Sequence, residues 1–154
     1  MHKPSLCAVV ALALATAVAP SAATDDTDAF AAVKKFDDSI NKGDAKAALS
    51  LCVDQAIVID DFAPHVWSGG QGCGAWFNAL GAYEKTNGIT DDNLALGKPW
   101  HVTVTGDRGY VVVPVKYTYK QKGKPVVESG SVWTLALQKL SAGWRITGWA
   151  WAQH

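Results

Sequence analysis

The sequence predicts an α+β domain in which three helices pack on a strongly curved antiparallel sheet, forming a cone-shaped α+β barrel. Two patterns predict it. In the N-terminal half, apolar residues recur at the three- and four-residue spacing of amphipathic helices. From Leu94 onward, apolar and polar residues alternate as they do in half-buried strands, with turn sequences between the runs. Helices followed by a run of strands are typical of α+β domains.

Residues 1–23 are predicted to be a secretory signal peptide, and residues 24–154 a single domain. "MHKP" supplies positive charge, "LCAVVALALATAVA" is the apolar segment, and "SAA" offers small residues for cleavage after Ala23. The apolar segment is too short for a comfortable membrane span, although an N-terminal anchor is the alternative. We therefore expect a secreted or periplasmic protein with no membrane segment after cleavage.

The helices are predicted in order. Thr27 or Asp28 can cap the first, "NKGD" ends it, and Asp44 can cap a second helix over "AKAALSLC". After the turn "VDQ", the run "AIVID" is predicted to be a buried strand. "SGGQG" is predicted to be a flexible segment that ends the strand region. A third helix is predicted to follow it and to end at Asn87-Gly88, with one apolar face made by Cys73, Trp76, Phe77 and Leu80.

Four strands are predicted to follow as a meander, with turns at "GDRG", "QKGKP" and "LSAG". Pro114 lacks an N–H and is predicted to mark an edge or a bulge. Alternation places Tyr117 and Tyr119 on one face, and it places Arg145 on the same face as Trp149. A twisted sheet of this length, covered by helices, curls and leaves a cavity at its open end.

Composition excludes one class of partner and indicates another. Removing Lys3 with the signal peptide leaves 13 basic against 14 acidic residues, and the only arginines are Arg108 and Arg145. This balance gives no indication of nucleic-acid binding. Seven tryptophans are either large core residues or the walls of an apolar pocket. We expect a small apolar molecule as partner, with no cofactor and no metal.

Two cysteines remain after processing, Cys52 and Cys73. An even number of cysteines in an oxidising compartment is consistent with a disulfide. The alternative is a pair of buried thiols that behave as small apolar side chains, because the geometry of the pair is not visible from sequence.

The chain resembles the nuclear transport factor 2-like superfamily, in its SnoaL-like and ketosteroid-isomerase-like branch. The resemblance is carried by "NKGDAKAALSLCVDQAIVID" (41–60), by Gly69 or Gly70 before the third helix, and by the closing pair Trp144 and Ile146. It implies a dimer that forms through the outer face of the sheet. It also implies that the isomerases' general base falls on Asp60, their oxyanion-binding tyrosine on Phe36, and their protonated acid near Ser131 or Val132.

Asp60 and His65 are the candidate catalytic residues, as a general base and its acid partner. Asp60 and Asp61 are expected to point to opposite sides of the strand, so that only one faces the cavity. Each polar residue also has a purely structural interpretation, as a strand-end carboxylate or an exposed loop histidine. The remaining candidate ligand-binding residues combine polar and aromatic side chains, namely Asp61, Trp67, Trp76, His101, Tyr117, Tyr119, Trp133, Trp149 and Trp151.

Three functions remain open at this stage. The first is an exported domain whose apolar pocket binds a small hydrophobic molecule. The second is an isomerase, dehydratase or cyclase that uses Asp60 as its general base. The third is a homodimerisation module without catalysis, joined through the Val-, Trp- and Thr-rich strands. Phe36 cannot donate a proton, and this favours binding over steroid isomerisation.

Overall fold

The computed structural model describes residues 22–153, and it confirms the predicted α+β class, with three helices packed on a strongly curved sheet. The elements in chain order are α1 (Ala22–Asn41), α2 (Ala45–Leu49), β1 (Cys52–Ile59), β2 (Val66–Trp67), α3 (Gly72–Asn87), β3 (Ile89–Leu96), β4 (His101–Thr105), β5 (Arg108–Gln121), β6 (Lys124–Leu140) and β7 (Gly143–Ala152). The strand order across the sheet is β2-β1-β7-β6-β5-β3, with β4 also paired to β5.

Residues 1–21, which contain nearly all of the predicted signal peptide, lie outside the described residues, as does His154. Among residues 22–153, no helix combines the length and the apolar character that a membrane span needs.

Helix α1 supplies the apolar layer that covers the concave face of the sheet. Ala29, Val33 and Phe36 are fully buried there, as their helical spacing predicts. The helix already includes Thr27 and Asp28, so the prediction that one of them caps it is wrong. Asp44 does cap α2, because its Oδ1 accepts a hydrogen bond of 2.9 Å from the Ala47 N–H.

Strand β1 differs from its prediction in length and in pairing. It begins at Cys52, so "VDQ" is strand rather than turn, and it pairs with β7 in parallel, which makes the sheet mixed. This pairing is non-local and is not encoded in the short apolar run itself. The pairing also explains why position 148 is a glycine, because an added Cβ there would lie 2.5 Å from the backbone oxygen of Ile57 in the neighbouring strand.

The predicted first strand of the meander is two strands. Both β3 and β4 pair with β5, and the segment 97–100 separates them opposite Pro114. The Gly97 N–H donates to the Pro114 carbonyl oxygen at 2.8 Å. Pro114 therefore marks an irregularity, as predicted, because the ladder changes partner where its N–H is missing.

Two β-bulges decide which side chains face the concave side. One falls between Val115 and Lys116, where β6 carries the extra residue Gly130 at a φ of +98°. The other lies in β7, where Ala136 pairs with Gly148 but Leu137 pairs with Ile146. Each bulge reverses the alternation of the residues beyond it, so parity along the sequence assigns those residues to the wrong face.

Asp37 is a buried acid on the inner side of α1. It is 7% exposed, and its Oδ1 has no hydrogen-bond partner among residues 22–153. Burial, followed by the nearby charge of Asp38, raises the pKa of its carboxyl to about 7. The folded chain then binds this proton more tightly than the unfolded chain does. Its contribution to stability is therefore complete at acidic pH and is lost as the pH rises through the folded pKa.

We expect Asp37→Asn to remove this loss. The variant should have a free energy of unfolding about 1–3 kcal/mol above that of the native protein at a pH of about 8, and nearly equal to it at about pH 4. Urea unfolding at both pH values measures the difference, with the exposed Asp28→Asn on the same helix as the control. A gain that is the same at both pH values would contradict the explanation.

Candidate functional site

A cavity of about 280 Å³ opens between α3 and the concave face of the sheet. This volume is near the lower end of those found for small-molecule pockets. Its lining combines aromatic, aliphatic and acidic side chains, namely Ile40, Asp60, Asp61, Phe62, Trp76, Leu80, Tyr83, Glu84, Ile89, Asp92, Leu94, Tyr117, Tyr119, Glu128, Trp133, Trp149, Trp151 and Gln153.

Tryptophans form the deep wall of the cavity. Trp149 lies edge-to-face with Trp76, their ring centroids 5.0 Å apart, and with Trp133 at 6.0 Å. Phe36 supports this wall from below, since its ring lies 5.3 Å from that of Trp149 and 5.7 Å from that of Trp133. The rings are held by packing, and the indole N–H groups of Trp133 and Trp149 have no partner among residues 22–153.

Asp60 is held at one side of the cavity, directly after the end of β1. Its Oδ2 accepts a hydrogen bond of 2.7 Å from the Trp76 indole N–H, and its Oδ1 accepts one of 2.8 Å from the Asp61 N–H. Burial raises the pKa of Asp60 to about 6, although the bond from Trp76 opposes the shift. The carboxylate is therefore mostly ionised at neutral pH and basic enough to accept a proton.

Three further acids of the cavity lining, Glu84, Asp92 and Glu128, lie near two tyrosines. The rings of Tyr117 and Tyr119 lie 4.8 Å apart, and the Tyr119 hydroxyl donates to Glu128 Oε1 at 2.8 Å. Burial, and next the charge of Asp92, raise the pKa of Glu84 to about 7. Burial also raises the pKa of Tyr117, with the charges of Asp92, Glu84 and Glu128 as further causes.

The cavity lining has no basic side chain within residues 22–153, against five carboxyl groups. The sequence had placed Arg145 on the face of Trp149, but the bulge in β7 puts the two on opposite faces. Arg145 Nη1 instead donates to the Trp144 carbonyl oxygen at 2.9 Å. The expectation of an apolar pocket is correct for its aromatic walls and wrong for its charge.

Eight of the eleven candidate residues come together in this cavity, namely Asp60, Asp61, Trp76, Tyr117, Tyr119, Trp133, Trp149 and Trp151. The expectation that only one of the adjacent aspartates could face the cavity is wrong. Strand β1 ends at Ile59, so the strict alternation of a strand no longer applies to Asp60 and Asp61.

His65 does not join Asp60 as an acid partner. It is exposed and lies outside the cavity lining, and its Nδ1 is 3.1 Å from the backbone oxygen of Asp60 rather than from the carboxylate. The Asp60 N–H donates to the His65 carbonyl oxygen at 3.0 Å, which closes the loop between β1 and β2. The histidine therefore holds the loop that positions Asp60.

Trp67 and His101 also lie outside the cavity. Trp67 is buried behind Phe62, with ring centroids 4.9 Å apart, and it supports that wall residue from the core. His101 is exposed on the convex face, where Nε2 lies 2.8 Å from the Thr103 hydroxyl and the ring packs edge-to-face with Tyr110. Alternation along β4 places His101 opposite the inward Val102, which is why it cannot reach the cavity.

Sequence reasoning missed the acids Glu84, Asp92 and Glu128. Glu84 could have been found, because it follows Trp76 and Leu80 at four-residue helical spacing. Glu128 could not, because the bulge at Gly130 reverses its face. Asp92 lies next to a register shift in β3, at a position where no strand was predicted.

The positions that the resemblance assigned to oxyanion binding, Phe36 and either Ser131 or Val132, offer no donor to the cavity, and Val132 has no polar side-chain atom. Phe36 is fully buried under the tryptophan wall. Ser131 is buried outside the lining, and its hydroxyl has no partner among residues 22–153. The steroid-isomerase set is therefore reduced to Asp60.

A disulfide joins Cys52 at the start of β1 to Cys73 in the first turn of α3. It closes a 21-residue separation in sequence that includes the Asp60 loop. The bond thereby ties the strand that leads into Asp60 to the helix that carries its partner Trp76.

No protein-family model matches the chain, and no curated protein matches it. Solved structures do. An NTF2-like superfamily protein from Salmonella enterica superposes with a TM-score of 0.71 at 16% identity, over 86% of this chain and 93% of the other. An NTF2-like protein with a cystatin-like fold from Novosphingobium aromaticivorans gives 0.67 at 20%, over 85% and 82%. A ketosteroid isomerase-like protein from Erwinia carotovora atroseptica gives 0.66 at 14%, over 84% and 95%.

Proposed function

The chain has the nuclear transport factor 2-like fold, and from that premise we propose that its cavity binds a small molecule with a flat, apolar body. The proposal depends mainly on the aromatic walls. Eight aromatic side chains line a cavity of about 280 Å³, which is room for one or two fused rings. Buried aromatic pairs add stacking to the free energy of apolar transfer.

Ligand binding is tested with flat aromatic compounds such as indole and naphthalene, by thermal shift and by quenching of tryptophan fluorescence. We expect Trp151→Ala, which removes a half-buried wall ring, to weaken binding by about tenfold. Trp100→Ala is the matched control, because Trp100 is 65% exposed and lies outside the cavity. Native mass spectrometry and thermal shifts that detect no bound aromatic would refute the proposal.

A second candidate function uses Asp60 as a general base that takes a proton from carbon next to a carbonyl group. It is favoured by the short Trp76–Asp60 bond, which fixes the carboxylate at the cavity wall, and by its raised pKa. A solved neighbour described as ketosteroid isomerase-like lends support from a protein of similar fold.

For this activity we expect Asp60→Asn to lower the rate of solvent deuterium exchange at the α-carbon of a bound cyclic ketone by roughly 10²–10⁴-fold. The native rate should rise with pH through about 6, since only the ionised carboxylate accepts the proton. Proton NMR in D₂O measures both. Asp54→Asn, an exposed change outside the cavity, should leave the rate as it is. Full exchange in Asp60→Asn would exclude the role.

We also propose export by the N-terminal segment and a homodimer through the convex sheet face. Tyr110, Val112, Val132 and Thr134 face that side, opposite the buried residues of β5 and β6. A light-scattering mass of one chain at high concentration would count against the dimer.

Retention of an unprocessed N-terminus on expression in a bacterial host would count against export.

A further inference from the structure

We propose that the molecule taken up by the cavity is an organic cation, with a flat aromatic body and an amine or quaternary ammonium head. This inference rests on the proposed binding function and adds the charge of the ligand. It begins from an imbalance: Asp60, Asp61, Glu84, Asp92 and Glu128 line the cavity, and none of its lining side chains in residues 22–153 is basic.

Ion pairing within the protein does not neutralise these acids. The salt bridges found within residues 22–153 use Asp25, Asp91 and Asp107, which are not cavity acids. Asp60 and Glu128 receive hydrogen bonds from neutral donors, the Trp76 indole and the Tyr119 hydroxyl. Four of the cavity acids, Asp60, Glu84, Asp92 and Glu128, are half-buried, and Asp61 is exposed. Partial burial makes a carboxylate without a positive partner costly, and a bound cation would supply that partner.

The aromatic walls offer the second half of a cation site. The faces of tyrosine and tryptophan rings attract an ammonium group through their quadrupole, with a strength that grows as water is excluded. Tyr117 and Tyr119 lie side by side among Glu84, Asp92 and Glu128, and the Tyr117 ring also packs edge-to-face on Trp151 at 6.4 Å. Rings and carboxylates therefore surround the same part of the cavity.

The arrangement suits an organic cation better than a metal ion. Within residues 22–153, no three His, Cys, Asp or Glu side chains converge as metal ligands. The acids come instead from the Asp60 loop, α3, β3 and β6, and thus surround the space. A spread of charge around an aromatic wall matches a large, weakly hydrated head group.

Trp133 and Trp149 line the cavity at 2% and 4% exposure, and their indole N–H groups are buried with no partner among the described residues. These two rings therefore meet a ligand through packing and not through a hydrogen bond. A quaternary ammonium group has no acceptor atom and needs no donor from the wall, since it is attracted by the ring quadrupole alone.

The test compares three probes of similar size by isothermal titration calorimetry at about pH 8, where Asp60 and Glu84 are both ionised. They are benzyltrimethylammonium, its neutral carbon isostere neopentylbenzene, and phenylacetate. We expect the cation to bind at least about tenfold more tightly than the isostere, and phenylacetate to bind more weakly than both. Equal affinities for the cation and the isostere would overturn this inference and leave the binding function standing. No binding of any probe would overturn both.

Charge variants make the test specific to these residues. Glu84→Gln combined with Asp92→Asn should lower the affinity for the cation by about tenfold. The affinity for the isostere should stay within about twofold of its native value. Glu128→Gln, which can still accept the hydrogen bond from the Tyr119 hydroxyl, should lower the affinity for the cation and leave that for the isostere unchanged. Asp54→Asn, which lies outside the cavity, is the matched control. A cation affinity that none of the cavity variants alters would overturn the assignment.

Discussion

Replacing Trp133 with alanine is expected to lower the free energy of unfolding by about 3–5 kcal/mol. Trp133 is 2% exposed and touches Phe36, Trp149 and Trp151, so its loss removes the largest fully buried side chain and joins a new void to the cavity. Residue 133 is paired with Val113 on one side and Trp151 on the other. Because these strands hold the backbone in place, the surrounding structure cannot collapse into the void.

Urea unfolding of the native protein and the variant measures this loss. Trp133→Phe should lose less, because it keeps a ring in the same place and removes an indole N–H that is buried without a partner. Trp100→Ala should change stability by less than about 0.5 kcal/mol, since that ring is exposed. Added indole should restore part of the stability of Trp133→Ala by filling the void. A loss no larger than that of Trp100→Ala would show that Trp133 is not a core residue.

Removing the Cys52–Cys73 disulfide is expected to cost about 3 kcal/mol, with a fall in Tm of roughly 10 °C. The bond closes a loop over a separation of 21 residues, and its loss returns conformational freedom to the unfolded chain. The loop carries β1 and Asp60, so the reduced protein should also hold Asp60 and Trp76 together less firmly.

The measurement compares native and Cys52→Ala/Cys73→Ala protein, each with and without reductant. Reductant should lower the Tm of the native protein and leave that of the double variant as it is. A thiol count on denatured, unreduced native protein should find neither sulfur free. Equal stability of the native protein and the double variant would refute the contribution of the bond, and two free thiols would refute the bond itself.

Much of the cavity wall was predictable because it depends on local periodicity. Trp76 and Leu80 lie on one face of α3 by helical spacing, and Trp133 and Leu135 lie inward by alternation along β6. The position of Asp60 at the end of the first strand, where the resemblance placed a base, also follows from the chain. Each of these features depends only on residues that are close together in the sequence.

The predictions that failed depend on the register between paired strands and on the geometry of a short loop. Arg145 and Glu128 change faces because a single extra residue in β7 or β6 shifts the register, and a bulge is fixed by the partner strand as much as by its own sequence. His65 turned away from the carboxylate because the loop closes through backbone bonds to Asp60. The geometry of a short loop is not a periodic property and cannot be read from spacing.

The sequence by itself therefore determined the fold class, the helix faces and the aromatic character of the cavity, since each follows from the spacing of apolar residues along one element. Apart from Glu84, whose face follows from helical spacing, only the tertiary structure decided the charge of the site. The parallel β1–β7 pairing places the end of β1 beside the cavity, the bulge in β6 turns Glu128 toward it, and the bulge in β7 removes the one arginine that alternation predicts there. The physical reason is that register is a relation between strands, and a shift of one residue exchanges the inside of a sheet for its outside.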